Sequence, residues 1–473
     1  MKKVLFTFIL GLLISVTNIQ AQWTQIGQNI DGDQHNLNFG WTTSLNSDGT
    51  IVAICALNYS SPSNADIGQV RIYKNVSGEW TQMGQYLTGG EVEEGQFGSS
   101  ISLSADGNTV AIGAYYYNAH IFKFVDGSWT EIGTGIGDAS GNDGYVVSLS
   151  ADGTIVAVGG YSGDVSIYKN VSGVWTQIGD EITGEEKPDD FGLSLSADGT
   201  IVAIGNPYKN VNGTNSGQVR VFKNISNTWT LIGTLDGKAA NDKFGISVDL
   251  NSDGDIVAIG APYNDDNGTN SGQVQVFKNN NGTWTQIGAD INGEATYDNC
   301  GYSVSMSTDG SIIAVSSHLH DSNEINSGQV RVFKNNDGVW TQIDSGIDGE
   351  AVYDENGHSV SLSADGSIVA TGAAWHDNTT YVDSGRVRVY KNEALNISEL
   401  KEAGISIYPN PSAGIFNIKN AKDYDITITD ITGKVIYRTT AAANEQVHLQ
   451  QRGVYIVNFK SQTKNFSSKI IVK

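Results

Sequence analysis

Short apolar runs recur along most of the chain in one fixed order, separated by Gly, Asn, Asp and Ser. Around residue 250 they read Phe244 to Leu250, Ile256 to Ala261, Gly272 to Lys278 and Trp284 to Gly288, here called runs A to D. Run B is almost continuously apolar, which suits a strand covered on both faces, whereas A and C alternate as half-exposed strands do. An Asp-Gly pair stands between A and B in every unit (Asp48-Gly49, Asp106-Gly107, Asp152-Gly153, Asp198-Gly199, Asp253-Gly254, Asp309-Gly310, Asp365-Gly366) and predicts a tight hairpin. A second short turn, such as Lys74 to Gly78, joins C to D. Both tight turns therefore fall on one face, and the longer B to C and D to A connections on the other.

The tryptophan that opens run D recurs at Trp23, Trp80, Trp129, Trp175, Trp229, Trp284 and Trp340, with spacings of 57, 49, 46, 54, 55 and 56 residues. Periods of this size signal propeller blades or solenoid units. The phase separates the two. The chain begins with a D run at Trp23 that has no C run before it, and the repeat ends with a C run, Gly385 to Lys391, that has no tryptophan after it. The orphan strand completes the three-stranded last unit if the ring shuts, which removes two sheet edges. The expected fold is all-β: a seven-bladed β-propeller over 22–392, closed by the N-terminal strand, with a solenoid as the lesser reading.

Other segments lie outside the repeat. Lys2 and Lys3 precede an apolar run from Val4 to Val16, and Ile19-Gln20-Ala21 offers a small-residue cleavage point, so 1–21 reads as a signal peptide. No later stretch is apolar for the roughly 18 residues that a bilayer requires. Residues 393–402 form a polar linker, and 403–473 make a small β-domain of hairpins. The chain carries 28 Lys and Arg against 51 Asp and Glu, a formal net charge of −23, although the tail is mildly basic, so the excess of acid lies in the propeller. That charge discourages nucleic acid and anionic lipid as partners. Cys55 and Cys300 fall in units two blades apart, too far for a disulfide, and read as buried thiols.

Two resemblances follow from these residues. Tyr408-Pro409-Asn410-Pro411, Gly414, Gly433-Lys434 and Gly453 with Tyr455 resemble the C-terminal sorting domain of type IX secretion cargo. The resemblance implies a small β-sandwich recognised by an outer-membrane translocon, with the protein released or anchored at the cell surface after export. Phe97-Gly98, Phe191-Gly192, Phe244-Gly245 and Gly260-Ala261-Pro262 resemble FG-GAP repeats, the units of integrin α-subunit propellers. Calcium-binding members carry several Asp or Asn ligands before the A to B turn, but here that loop reads Ser-Ala-Asp-Gly, so no calcium is expected there and no other cofactor is called for.

The open face is the expected place for function, because variable loops on rigid strands carry it. Its loops are acidic, as at Glu185, Glu186, Asp189 and Asp190. Tyr116, Tyr208, Tyr263 and Trp375 each stand three residues after the blade glycine and could stack on sugar rings, or pack between blades. His318, His320 and Asp321 align with His376 and Asp377 in the next unit and form a weak candidate set for zinc. No nucleophile elbow, zinc-protease motif or phosphate loop is present, so no catalytic residue is assigned and an enzyme is the less favoured class. The expected protein is a secreted or surface-anchored monomeric module that binds a glycan or a protein through its loop face. A secreted carbohydrate-active enzyme and a passive surface component are the alternatives.

Overall fold

A computed structural model describes residues 23–61, 66–89, 95–115, 117–137, 144–184, 191–392, 405–408, 412, 414–422, 424–430, 434–441, 444–461 and 465–472. The signal peptide, the linker, Tyr116, the acidic stretch 185–190, Pro409, Asn410, Pro411 and Gly433 lie outside these residues. Among those described, seven antiparallel sheets of four or five strands follow one another in the order A, B, C, D. In the first blade the strands are Phe39–Leu45, Ile51–Ala56, Gln69–Val76 and Glu79–Gln82. Run B is buried throughout in six blades, as its unbroken apolar pattern requires, and in the third only Ile155 at its start is partly exposed.

The first strand, Trp23–Gln25, pairs with the last strand of the repeat, Arg386–Asn392, with Trp23 opposite Asn392. The A strands meet in sequence, and the A strand of the last blade, Ser359–Leu362, lies against that of the first. Three circuits of hydrogen bonds run round the molecule and return to their start. In the first, the backbone N–H of the residue before each Asp-Gly turn donates to its neighbour's carbonyl at 2.8 to 3.0 Å, from Ser47 through Ala105, Ala151, Ala197, Ser252, Thr308 and Ala364 back to Ser47. In the second, the Oγ of Ser44, Ser102, Ser148, Ser194, Ser305 and Ser361 accepts from a backbone N–H of the next inner strand. Asp249 replaces serine in the fifth blade and accepts from Met306 N–H at 2.7 Å.

The third circuit is at the rim. Each indole N–H donates to a carbonyl three residues after the tryptophan of the preceding blade, as from Trp80 to Ile26 at 2.8 Å, Trp129 to Met83 at 2.7 Å and Trp23 to Ile343 at 3.4 Å. In six blades a glycine follows, and at Gly27, with φ +76°, a Cβ would meet Trp80 Cδ1 at 2.6 Å; beside Trp23 the position is Asp344, at φ +65°. The chain then resumes as a second piece of the outer strand, for example Ile30–Asp31, whose buried Ile30 pairs with Val387. The tryptophan motif alone does not disclose this extension.

The tight turns consume their own carboxylates. Asp152 accepts from Ser150 Oγ at 2.8 Å and from Thr154 N–H at 2.9 Å, and Asp198 and Asp365 repeat the arrangement. Burial pushes the Asp152 carboxyl up, but these hydrogen bonds outweigh it and hold the group below its ordinary range. At the C to D turns Asn75 and Asn170 accept from Gly78 and Gly173 N–H, so these asparagines serve geometry. Both cysteines are buried and unbridged. One apparent match is out of register. Ser196, which receives the hydrogen bond that Ser104 receives in the second blade, lies five residues after Phe191, where Ser104 lies seven after Phe97. Phe191-Gly192 is therefore displaced by two positions from the other Phe-Gly pairs.

The tail forms a three-stranded sheet (Ser406–Tyr408, Ile415–Lys419, Asn444–His448) and a four-stranded sheet (Asp425–Asp430, Val435–Thr440, Gly453–Lys460, Asn465–Val472). Phe416, Ile418 and Val447 from the first share one core with Ile426, Ile428, Val457 and Phe459 from the second, which makes a β-sandwich. Gly414 has φ +99° before its strand, Lys434 closes a hairpin by donating N–H to Asp430 Oδ1, and the buried Tyr455 hydroxyl donates to the Gln451 carbonyl.

Candidate functional site

Alignment of the blades on the hydrogen-bonded Ser or Asn of the inner turn brings one column to the open-face end of the inner strands. It reads Trp41, Ser99, Tyr145, Phe191, Ile246, Tyr302 and His358. Three consecutive members, from blades six, seven and one, form a connected set of rings with residues of the B to C loops. Tyr302 lies over His318 with centroids 4.0 Å apart and edge-on to His358 at 5.3 Å. His358 packs on Trp41 at 4.2 Å, and Trp41 meets Trp375 at 6.3 Å. Trp41, Tyr302 and Trp375 are half-buried, whereas His318 and His358 are buried.

The electrostatics of this cluster follow from burial. Desolvation lowers His318 to about 3, helped by His358, and lowers His358 to about 4 against the backbone hydrogen bond with Trp41. Both imidazoles are neutral at neutral pH. Glu355, which enters the same strand with φ +51°, is pushed up to about 7 by burial, opposed by a hydrogen bond with Trp375. His318 Nδ1 is buried without a hydrogen-bond partner among the described residues.

The other predicted residues are placed differently. Tyr208 and Tyr263 flank the ammonium of Lys243, at 5.0 and 4.6 Å from their centroids, so these rings are engaged in a cation–π contact. His320 and His376 hydrogen-bond Asp298 and Asp354 at 3.0 and 2.9 Å, each 22 residues upstream in its own blade. The hydrogen bond and charge of Asp298 raise the His320 pKa in spite of burial. In the fifth blade Asn264 makes the same link to Asp242 at 3.1 Å. These pairs tie the B to C loop to the D to A loop, and the aspartates also accept backbone N–H groups, as Asp354 does from Ala351. The structure does not gather His318, His320 and His376 into one set, and no three His, Cys, Asp or Glu groups among the described residues come together to hold a metal. Asp249, on an inner strand, is raised to about 6 by burial against three hydrogen bonds. At the rim, a cavity of about 430 Å³ lies between the third and fourth blades beside Glu181, Arg220 and Trp229.

Comparison with known proteins bears on both parts of the chain. Residues 406–473 match the model of the secretion system C-terminal sorting domain. The protein is type IX secretion cargo. It is exported across the outer membrane to the cell surface or the extracellular space, and its tail is the part the export machinery recognises. Residues 234–277 match the FG-GAP repeat. No protein of curated function matches the chain. Among solved structures, a chain of the mitotic checkpoint complex is similar with a TM-score of 0.53 at 14% identity, covering 83% of this cargo chain and 99% of its own. The β-propeller domain of Cps50 (Swd1) from Myceliophteria thermophila is similar with a TM-score of 0.51 at 12% identity, covering 77% and 99%. At these identities the likeness shows the propeller fold alone. No helix among the described residues is long and apolar enough to cross a membrane.

Proposed function

We propose that this exported propeller is a binding module, monomeric, that engages an extracellular glycan or protein through its long-loop face. The observation that carries the reading is the mouth of blades six, seven and one, where Trp41, Tyr302 and Trp375 stay half-exposed on a face otherwise rich in acid. Rings with an apolar body and a wet edge are what binding surfaces select. A smaller set of partly buried rings, Tyr115, Tyr145 and Tyr161, stands at the same end of blades two and three, whereas the seven tryptophans of the rim circuit serve the scaffold.

The test is a glycan array and a parallel capture of surface proteins with the purified secreted protein. Binding to neither class at micromolar protein would sink the reading and leave a passive surface component. Glu355 supports a second reading, because a carboxyl that keeps its proton to about 7 beside an indole suits a general acid of a carbohydrate-active enzyme. Turnover of any bound glycan, abolished by Glu355→Gln, would establish it. Binding without turnover excludes it.

A further inference from the structure

We infer that the mouth of blades six, seven and one holds an uncharged sugar ring, stacked on Trp41 and Tyr302 and hydrogen-bonded through its hydroxyls to His318 Nδ1. The inference rests on the binding reading above and names the ligand class and the residues of the site.

Three observations carry it. The first is continuity: the contacts from His318 through Tyr302, His358 and Trp41 to Trp375 join rings of three blades into one connected set, tilted or edge-on to one another, with centroid separations of 4.0 to 6.3 Å. Trp41 and Tyr302 keep part of their surface exposed, while the two imidazoles of the set are buried. The face of each partly exposed ring, Trp41 or Tyr302, suits the flat C–H face of a pyranose, which buries apolar area without asking for a charge.

The second is the unsatisfied nitrogen. His318 is 7% exposed, and its Nδ1 has no hydrogen-bond partner among the described residues. Buried polar atoms in folded proteins are almost always paired, so an orphan beside an open aromatic wall calls for a partner from outside. A hydroxyl can donate to the imidazole or accept from it, so a polyol satisfies either tautomer.

The third is charge. The protein carries a formal net charge of −23, yet the residues of the wall are aromatic rings and imidazoles that burial keeps neutral, and Glu355 beside them keeps its proton until about pH 7. An anionic sugar would meet the field of the whole molecule with no cation in the wall to offset it. An amine would find no carboxylate among the rings of the wall themselves to pair with, whereas a neutral hexose asks for neither partner.

The experiment uses the full secreted chain and three sets of probes: oligosaccharides of neutral hexoses, their hexuronate counterparts and their hexosamine counterparts, titrated by calorimetry at pH 6.5. Neutral probes are expected to bind at least about tenfold more tightly than either charged set. Trp41→Ala and Tyr302→Ala should each weaken binding by about tenfold or more, in line with the loss of a stacked ring. Trp41→Phe, which keeps an aromatic face, should hold affinity within about threefold, and His318→Phe, which keeps the ring and removes the nitrogen, should weaken it about five- to tenfold. Tyr297→Ala, an exposed ring of the same face outside the wall, should change nothing. A thermal melt of each variant separates lost contacts from lost fold. Preference for a uronate or an amine overturns the ligand class. Neutral-glycan binding that survives both Trp41→Ala and Tyr302→Ala overturns the site while leaving the binding module intact. Capture of a protein partner with no glycan bound overturns the inference and leaves the broader reading standing.

Discussion

The rim and the mouth of this propeller are built from the same repeat and treat it in opposite ways. At the rim every blade spends a tryptophan on one hydrogen bond to the blade before it, and the circuit is complete from Trp23 to Trp340. At the mouth the equivalent positions hold Trp, Ser, Tyr, Phe, Ile, Tyr and His. A position that seven blades keep alike closes the ring, and one that they vary is free to meet something else. Functional groups in a repeat protein are thus best sought in the columns that fail to repeat.

The strongest way to break the contrast is at the closure. Deletion of residues 22–31 removes both pieces of the outer strand of the last blade and the Trp23 bond. The protein is expected to lose its cooperative melt and to associate through the exposed edge, as read by calorimetry and size-exclusion chromatography. Next comes the rim. Trp129→Ala should cost about 3–5 kcal/mol, because the side chain is buried. Trp129→Phe should cost about 1–3 kcal/mol through the Met83 carbonyl left without its donor. Trp41→Ala should cost under about 1 kcal/mol in chemical denaturation, since the residue is half-buried and belongs to none of the circuits. A Trp41 variant as unstable as the Trp129 variant would erase the distinction.

Two carboxyls sharpen it by pH. Glu355 and Asp249 both have folded pKa values above their ordinary ones, about 7 and about 6. The folded state therefore keeps protons that the unfolded chain gives up, and stability falls as pH rises, from about 4.5 to 7 for Glu355 and from about 3.8 to 6 for Asp249, and stays reduced above. Full desolvation would make each worth about 3 kcal/mol; partial exposure of both groups reduces this to about 1 kcal/mol. Asp249→Ser restores the residue of the other six blades and should stabilise the protein at pH 8 by about that amount, with no effect at pH 3.5. Glu355→Gln should flatten the decline between pH 4.5 and 7. An unchanged pH profile in either variant would contradict the assigned burial.

Much of the scaffold was legible in the sequence. The tryptophan spacing and the orphan strand at Trp23 pointed to the pairing with Asn392, and Asp-Gly marked each inner turn. The mouth was not legible for a physical reason. Its column is found by counting back from the hydrogen-bonded Ser or Asn of the turn, and the Phe-Gly pair that invites alignment is displaced by two residues at Phe191. The His pairs were misread because alignment between neighbouring loops says nothing of the D to A loop of the same blade, where Asp298 and Asp354 wait 22 residues upstream. The spacing that marks Tyr208 and Tyr263 carries no signal of the Lys243 that lies between them.

The position of the locking strand also decides what the propeller can do without. The ladder that joins the two ends of the propeller is complete at Asn392, and the sorting sandwich begins its first strand at Ser406 with a core of its own. None of the three circuits uses a residue beyond Asn392. Loss of the sorting sandwich would therefore leave a ring with all three of its circuits intact and nothing to mend.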